Sequence, residues 1–162
     1  MSLQSLRVLL SLPLLLPALA VVSPPAQAAG YVDASSYLTR DQDFEAWYAL
    51  RSGLQRNFDD ICGDTFCEGD YSNLQSLRYQ CSVNAVNGRI GMCVWVFAGS
   101  NEEIDPATGR VRVDARAWRC RTPLASRTTI EELLAALQGE EPLRTALPGT
   151  DRSIYDGLVD CL

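Results

Sequence analysis

The 162-residue chain contains neither histidine nor lysine, so its 14 basic side chains are all arginines. Without histidine, neither a Ser-His-Asp triad nor a Cys-His pair can form, and without lysine a Ser-x-x-Lys nucleophile is excluded. The chain also lacks a Gly-x-Ser-x-Gly elbow, a Gly-rich phosphate loop and a Cys-x-x-Cys pair. These absences argue against the common nucleophilic hydrolases, nucleotide-using enzymes and thiol oxidoreductases, and we expect a protein that is not an enzyme.

The amino-terminal residues are typical of a cleavable signal peptide. Arg7 is the only charged side chain before Asp33, and an apolar run over residues 8–22 follows it. The run is too short and too interrupted by proline for a bilayer-spanning helix, and Ala26-Gln27-Ala28 is an A-x-A cleavage site. We therefore expect residues 1–28 to be removed on export, leaving one domain over 29–162 in the periplasm or outside the cell.

The mature chain is acidic. Its 13 arginines and 20 acids give a net charge of −7 after loss of the single arginine in residues 1–28. Nucleic acids and anionic lipids demand a basic footprint, so neither is expected as the main partner, and no second apolar segment is long enough to span a membrane. An acidic surface instead suits solubility or attraction to a basic protein.

The cysteines predict a disulfide framework. An even number in an exported domain is typical of disulfides, whereas structural zinc uses C-x2–4-C pairs or histidine partners, and the chain offers Cys62-x4-Cys67 but no histidine. Three bridges among six residues are expected, at Cys62, Cys67, Cys81, Cys93, Cys120 and Cys161.

Apolar spacing predicts a small α+β fold. A helix is expected from Asp41 to about Ile61, after a short polar lead-in over residues 29–40. Three strands, 77–84, 89–98 and 110–122, are expected to form an antiparallel meander with the second strand in its centre. Two further helices, over residues 129–138 and 154–162, are expected to pack with the first on one face of the sheet.

The hairpin turn Val86-Asn87-Gly88 fixes a predicted register. Closure of the turn at Ala85 and Arg89 places Leu77 opposite Phe97, Tyr79 opposite Trp95 and Cys81 opposite Cys93, with the apolar side chains on one face. The second turn sets Phe97 opposite Trp118 and Trp95 opposite Cys120.

That register favours a Cys81–Cys93 disulfide. The simplest remaining pairs are Cys62–Cys67 and Cys120–Cys161, and the alternative joins Cys62 or Cys67 to Cys93 or Cys120 to anchor the first helix.

The densest set of polar residues is an acidic loop. Clustered carboxylates are typical calcium ligands, although their spacing does not fit the EF-hand. Two carboxylates flanking a cleft are also the machinery of a glycosidase, and Phe66 and Tyr71 would then supply a wall for a sugar. The simplest alternative is a solvated loop without a ligand. The candidate residues are Asp59, Asp60, Asp64, Glu68 and Asp70.

Five arginines lie along the third predicted strand, Arg110, Arg112, Arg116, Arg119 and Arg121. Either they protect a sheet edge from aberrant pairing, with ion pairs to Glu102 and Glu103, or they form a patch for a carboxylate-rich partner. For the whole chain we expect a non-catalytic exported binding protein, an inhibitor or immunity-type partner of a basic hydrolase. The alternative is a small carboxylate-dependent hydrolase of glycans or cell walls acting through residues 59–70. No cofactor is expected apart from calcium at the acidic loop.

Overall fold

A computed structural model describes residues 30–162 as an α+β protein with one hydrophobic core. The predicted signal peptide, residues 1–28, lies outside the described residues. Among the residues described, no helix has the length and apolar character needed to cross a membrane.

One antiparallel sheet, in the order β1-β2-β3-β4, carries the helices of the protein. The fold therefore has the expected class, with one strand more than the sequence predicted. The elements are β1 Tyr31–Asp33, α1 Ala34–Tyr37, α2 Asp41–Cys62, β2 Gln75–Asn84, β3 Ile90–Ile104, β4 Val111–Arg121, α3 Ile130–Ala136 and α4 Ile154–Val159.

The predicted polar lead-in is wrong, because this segment forms β1 and α1. Strand β1 pairs Tyr31 with Asn84 and Asp33 with Ser82, so β2 lies inside the sheet. The Asp33 carboxylate accepts a hydrogen bond from the backbone N–H of Ser35 at 2.8 Å and thereby caps α1. The first long helix, α2, is thus the third element of the chain. The sequence did not indicate β1, because a strand of three residues is too short to show an alternating apolar pattern.

Helix α2 packs its apolar side on what we call the inner face of the sheet. The Trp47 ring lies 5.9 Å from that of Tyr79, and the Phe58 ring lies 4.8 Å from that of Phe97. Trp95 completes this aromatic cluster and is 2% exposed. Trp47, Leu54 and Phe58 of α2 are therefore core, as their spacing indicated, whereas Tyr48, which shares that spacing, is 57% exposed.

The β2–β3 register agrees with the prediction in its centre and differs at both ends. Tyr79 faces Trp95 and Cys81 faces Cys93, as expected. Near the start of β2, however, Ser76 faces Phe97, because Leu77 is an extra residue at a bulge and is exposed.

The second difference lies at the turn. The Asn84 N–H donates to the Arg89 carbonyl at 2.8 Å, so the turn closes one residue earlier than the predicted Ala85. Gly91 is the extra residue of a second bulge, where a Cβ atom would lie 2.7 Å from the Tyr31 ring. The earlier closure of the turn shifts the register by one residue, and the bulge at Gly91 shifts it back. The central pairs therefore follow the prediction.

The β3–β4 register follows the prediction throughout, from Trp95 opposite Cys120 to Ile104 opposite Val111. Both strands continue past the point where β2 pairs with β3, which is Gln75 opposite Ala98. We call the hairpin of residues 99–116 the arm. It projects from the part of the sheet that α2 covers, and most of its side chains are exposed.

All six cysteines are bonded, in the pairs that the sequence favoured. Cys81–Cys93 joins the two central strands, Cys62–Cys67 closes the end of α2, and Cys120–Cys161 ties the carboxyl terminus to β4.

The two short helices α3 and α4 are each begun by a capping box. The predicted third helix, 154–162, ends earlier than expected, at Val159, so that Cys161 lies just beyond α4.

Candidate functional site

The five predicted acidic residues are all exposed, and the fold divides them. Asp59 and Asp60 lie in the last turns of α2, where they line one groove. Glu68 and Asp70 line a different groove, beside Phe66 and Tyr71. Asp64 lines neither of them. The acidic loop of the sequence is therefore not one cluster of ligands.

The first groove, which we call the acidic groove, is formed by two distant segments. Asp59 and Asp60 of α2 face Glu140 and Glu141, which precede Pro142 in the connection between α3 and α4. The groove has a volume of about 470 Å³, and Arg56 is its single cation. Four carboxylates against one guanidinium give it a strongly negative potential.

A buried asparagine holds the two walls of the acidic groove together. The Asn57 amide nitrogen donates to the Glu140 carbonyl at 2.9 Å, and the Asn57 amide oxygen accepts from the Leu143 N–H at 3.4 Å. Gly53, one turn earlier, allows close contact, because a Cβ atom there would lie 2.9 Å from Pro142 Cγ. The carboxylates of the groove are thus presented by a fixed backbone rather than by a free loop.

The second groove combines carboxylates with aromatic rings. Glu68 and Asp70 lie beside Phe66, Tyr71 and Trp118 around a volume of about 210 Å³. The Tyr71 ring meets Trp118 edge to face, with centroids 5.2 Å apart. An aromatic wall beside acids is an arrangement that suits either a sugar or the side chain of a basic residue.

Tyr71 also connects this groove to the arm. Its hydroxyl donates to the Asp114 carboxylate at 2.5 Å, and the Arg116 guanidinium lies 5.0 Å from its ring centroid. The Tyr71 hydrogen bond and the nearby Arg116 charge lower the pKa of Asp114 despite the opposing effect of desolvation. The same hydrogen bond raises the pKa of Tyr71. Asp114 is therefore an anion at neutral pH.

The arginines of β4 pair differently from the expectation. Arg112 lies 3.2 Å from Asp105 and Arg116 lies 3.2 Å from Asp114, while Glu102 accepts from the Ser100 hydroxyl. The predicted ion pairs to Glu102 and Glu103 are thus replaced by pairs along and across the arm. β4 is an edge strand of the sheet, as the sequence indicated.

Within residues 30–162, no three histidine, cysteine or acidic side chains are grouped so that they could hold a metal ion. Calcium binding at the acidic loop stays a prediction. If the loop binds calcium, a calcium titration should raise the melting temperature, because a ligand of the native state stabilises it.

The sequence interpretation missed Glu140 and Glu141, which lie more than 80 residues from Asn57 along the chain. The available signal was Asn57 itself, a polar residue next to Phe58 on the apolar side of the helix. A buried asparagine needs partners for its amide, and those partners indicate which segment packs there.

Comparisons of this chain with protein-family models, with curated proteins and with solved structures found no match. Its function is therefore inferred below from its own residues and their geometry.

Proposed function

We propose that this protein is a non-catalytic binding protein of the periplasm or the extracellular space, and that its acidic groove binds a basic protein. Among binding proteins, the class that best suits an acidic groove is an inhibitor or immunity-type partner of a basic exported hydrolase. The observation that carries the proposal is the acidic groove, whose four carboxylates come from two segments locked together by Asn57.

Rigidity supports binding at this groove. The Asn57 hydrogen bonds fix one wall, and the Cys62–Cys67 disulfide fixes the helix end that carries Asp59 and Asp60. A surface that is already ordered loses little conformational entropy when a partner binds. The mature charge of −7 also increases the rate at which a basic partner is attracted.

The test is a comparison of three baits in periplasmic extract. The first bait is the wild type, and the second neutralises the groove with the four substitutions Asp59→Asn, Asp60→Asn, Glu140→Gln and Glu141→Gln. The third is the matched control, which removes the same charge at exposed acids outside the groove, with Glu45→Gln, Asp64→Asn, Glu103→Gln and Asp151→Asn. None of these four control side chains forms a hydrogen bond or ion pair among the described residues.

We expect a basic protein to be retained by the wild type and the control and lost from the groove variant. Its binding should weaken as the salt concentration rises, because exposed charges are screened. Equal retention by all three baits, or no basic protein in any of them, contradicts the proposal.

The second groove supports one alternative function, a carboxylate-dependent hydrolase of glycans or cell walls. Glu68 and Asp70 line the same groove as Tyr71 and Trp118, and a pair of carboxylates in one groove is what glycan hydrolysis uses. Purified protein should then release soluble fragments from cell-wall material, and Glu68→Gln and Asp70→Asn should each abolish that release. If the wild type releases nothing, the alternative is wrong.

A further inference from the structure

The outer edge of β4 is open over most of its length. Between Val111 and Arg119 every residue except Trp118 is exposed, and no segment within residues 30–162 hydrogen-bonds to this edge. Further along, α4 covers the edge, because a Cβ atom on Gly157 would lie 2.7 Å from the Arg121 carbonyl. The free edge therefore runs over residues 111–119, with Ala115 at its midpoint.

The hydrogen bonds of the β3–β4 hairpin determine which backbone groups are free. Thr122 donates to the Cys93 carbonyl at 3.0 Å, and the Arg110 carbonyl accepts from Asp105 at 2.8 Å. Because bonded residues alternate along an antiparallel strand, the even-numbered residues of β4 are bonded to β3. The N–H and C=O groups of residues 111, 113, 115, 117 and 119 consequently point away from the sheet.

We propose that this edge binds a second copy of the same chain, antiparallel, with Ala115 on the two-fold axis. The sheets of the two copies then become one continuous sheet with an isologous interface. In this register the free groups of residues 111–119 in one copy oppose those of the other, and about ten backbone hydrogen bonds form.

The charges of β4 select this register. With Ala115 on the axis, Asp114 of each copy faces Arg116 of the other, and this opposite-charge pair occurs twice. These are the pairs without mutual backbone hydrogen bonds, in which side chains approach most closely. On the opposite face of the strand, Val113 meets Ala117 of the second copy, so small apolar side chains pack together there.

Neighbouring registers bring like charges together. With Arg116 on the axis, the two copies of Arg116 face each other, and with Asp114 on the axis, the two copies of Asp114 do. A register centred on Val113 places Arg110 against Arg116. Centring on Ala115 avoids every arginine–arginine pair and also uses the whole free edge.

The contacts within one copy leave room for the contacts between copies. Asp114 already accepts from Tyr71 and Arg116, but its side chain is 58% exposed and that of Arg116 is 59% exposed. A carboxylate has acceptor sites for further donors, and a guanidinium has five N–H donors. The hairpin of residues 99–121 carries five arginines and four acids, so two copies of this acidic protein can approach there without strong repulsion.

The experiment is sedimentation of the exported, disulfide-bonded protein over a range of concentrations, with a charge exchange at the axis. The wild type should be a reversible dimer. Arg116→Asp and Asp114→Arg should each raise the dissociation constant roughly tenfold to thirtyfold, since each replaces two opposite-charge pairs by like-charge pairs. The double variant D114R/R116D restores the complementary pairs and should dimerise again.

A monomeric wild type at every concentration would overturn the proposal. A dimer that is insensitive to both single substitutions, or a double variant that stays monomeric, would likewise show that this register is wrong. Circular dichroism of each variant establishes whether it is folded. If the single variants do not fold, a cysteine at position 115 (Ala115→Cys) in the otherwise wild-type protein should give a cross-linked dimer on oxidation. The same substitution at position 111 (Val111→Cys) should not.

Discussion

Strand β3 passes through two environments: one half is buried under α2, and the other half is exposed in the arm. Under α2, Trp95 and Phe97 are 2% and 0% exposed, and they pack on Phe58. In the arm, Ile104 is 73% exposed although it continues the same strand. The first half is apolar because it forms the core, whereas Ile104, Val111 and Val113 of the arm stay exposed. Val111 and Val113 lie on the free edge of β4, where the proposed pairing between copies would set them against a second strand.

The arm keeps its strand conformation without a core because β3 and β4 hydrogen-bond to each other along its whole length and its turn is closed by local contacts. The turn at its tip is closed by Asp105, whose carboxylate accepts from Ala107 at 2.9 Å and from Thr108 at 3.1 Å. These backbone N–H groups lower the pKa of Asp105. Gly109 takes the left-handed conformation, with φ of 68°, that ends such a turn.

The strongest contrast is expected from truncation in the two halves of β3. Trp95→Ala removes the ring at the centre of the aromatic cluster and should lower the free energy of unfolding by about 3–5 kcal/mol. Ile104→Ala should change the free energy of unfolding by no more than about 0.5 kcal/mol, as is usual for exposed positions. Urea unfolding of the oxidised protein at low concentration measures both. Similar losses at the two sites would remove the distinction between core and arm.

Next in size is the effect of the disulfides, all of which lie outside the arm. Replacing Cys120 and Cys161 with alanine should lower the free energy of unfolding by about 4 kcal/mol, since the closed loop spans 41 residues. Replacing Cys62 and Cys67 should cost about 2 kcal/mol, because that loop is short. Urea unfolding again gives both values, and the reverse order would contradict this chain-entropy argument.

A smaller loss is expected at the acidic groove. Asn57→Ala leaves the buried Glu140 carbonyl and Leu143 N–H without the asparagine, which should cost about 1–3 kcal/mol. Hydrogen exchange at the Leu143 amide should accelerate, while exchange in the arm stays unchanged. Gln55→Ala, at an exposed position of the same helix, is the matched control. An unchanged Leu143 amide would mean that the groove walls are held by other contacts.

The smallest effect concerns pH and the cap of α4. The Ser153 backbone N–H donates to Asp156 at 2.7 Å and its hydroxyl does so at 2.8 Å, and both lower the pKa of Asp156 in the folded protein. Its stabilising effect is therefore complete above the unfolded pKa of 3.8 and is lost as the pH falls below it. The melting temperature of Asp156→Asn should decline less steeply with acid than that of the wild type. Asp151→Asn should decline as the wild type does.

Much of the fold follows from the sequence because its signals are local. The spacing of apolar residues predicted α2, and the position of Gly88, with φ of 70°, marked the hairpin turn. The turn over residues 105–109 gave the β3–β4 register without error, and the shared apolar face supports it, since a shift by one residue moves every apolar side chain to the wrong face. The Cys81–Cys93 pair followed from the same argument.

What the sequence could not predict depends on packing between distant segments. The bulges at Leu77 and Gly91 leave the alternation nearly intact, so only the neighbouring strand reveals them. The carboxylates of the acidic groove come together through Asn57, whose partners carry no local signature. The edge position of β4 was predicted, but the extent of its free edge depends on where α4 covers the strand.

The pairing of two copies through β4 is tested most directly by amide hydrogen exchange, resolved by residue, in dilute and in concentrated solution. The amides of Arg112, Asp114 and Arg116 are bonded to β3 and should be protected at both concentrations. Those of Val113, Ala115 and Ala117 should exchange freely in dilute solution and become protected when the protein is concentrated. If these three amides exchange at the same rate at both concentrations, the edge of β4 does not bind a second copy.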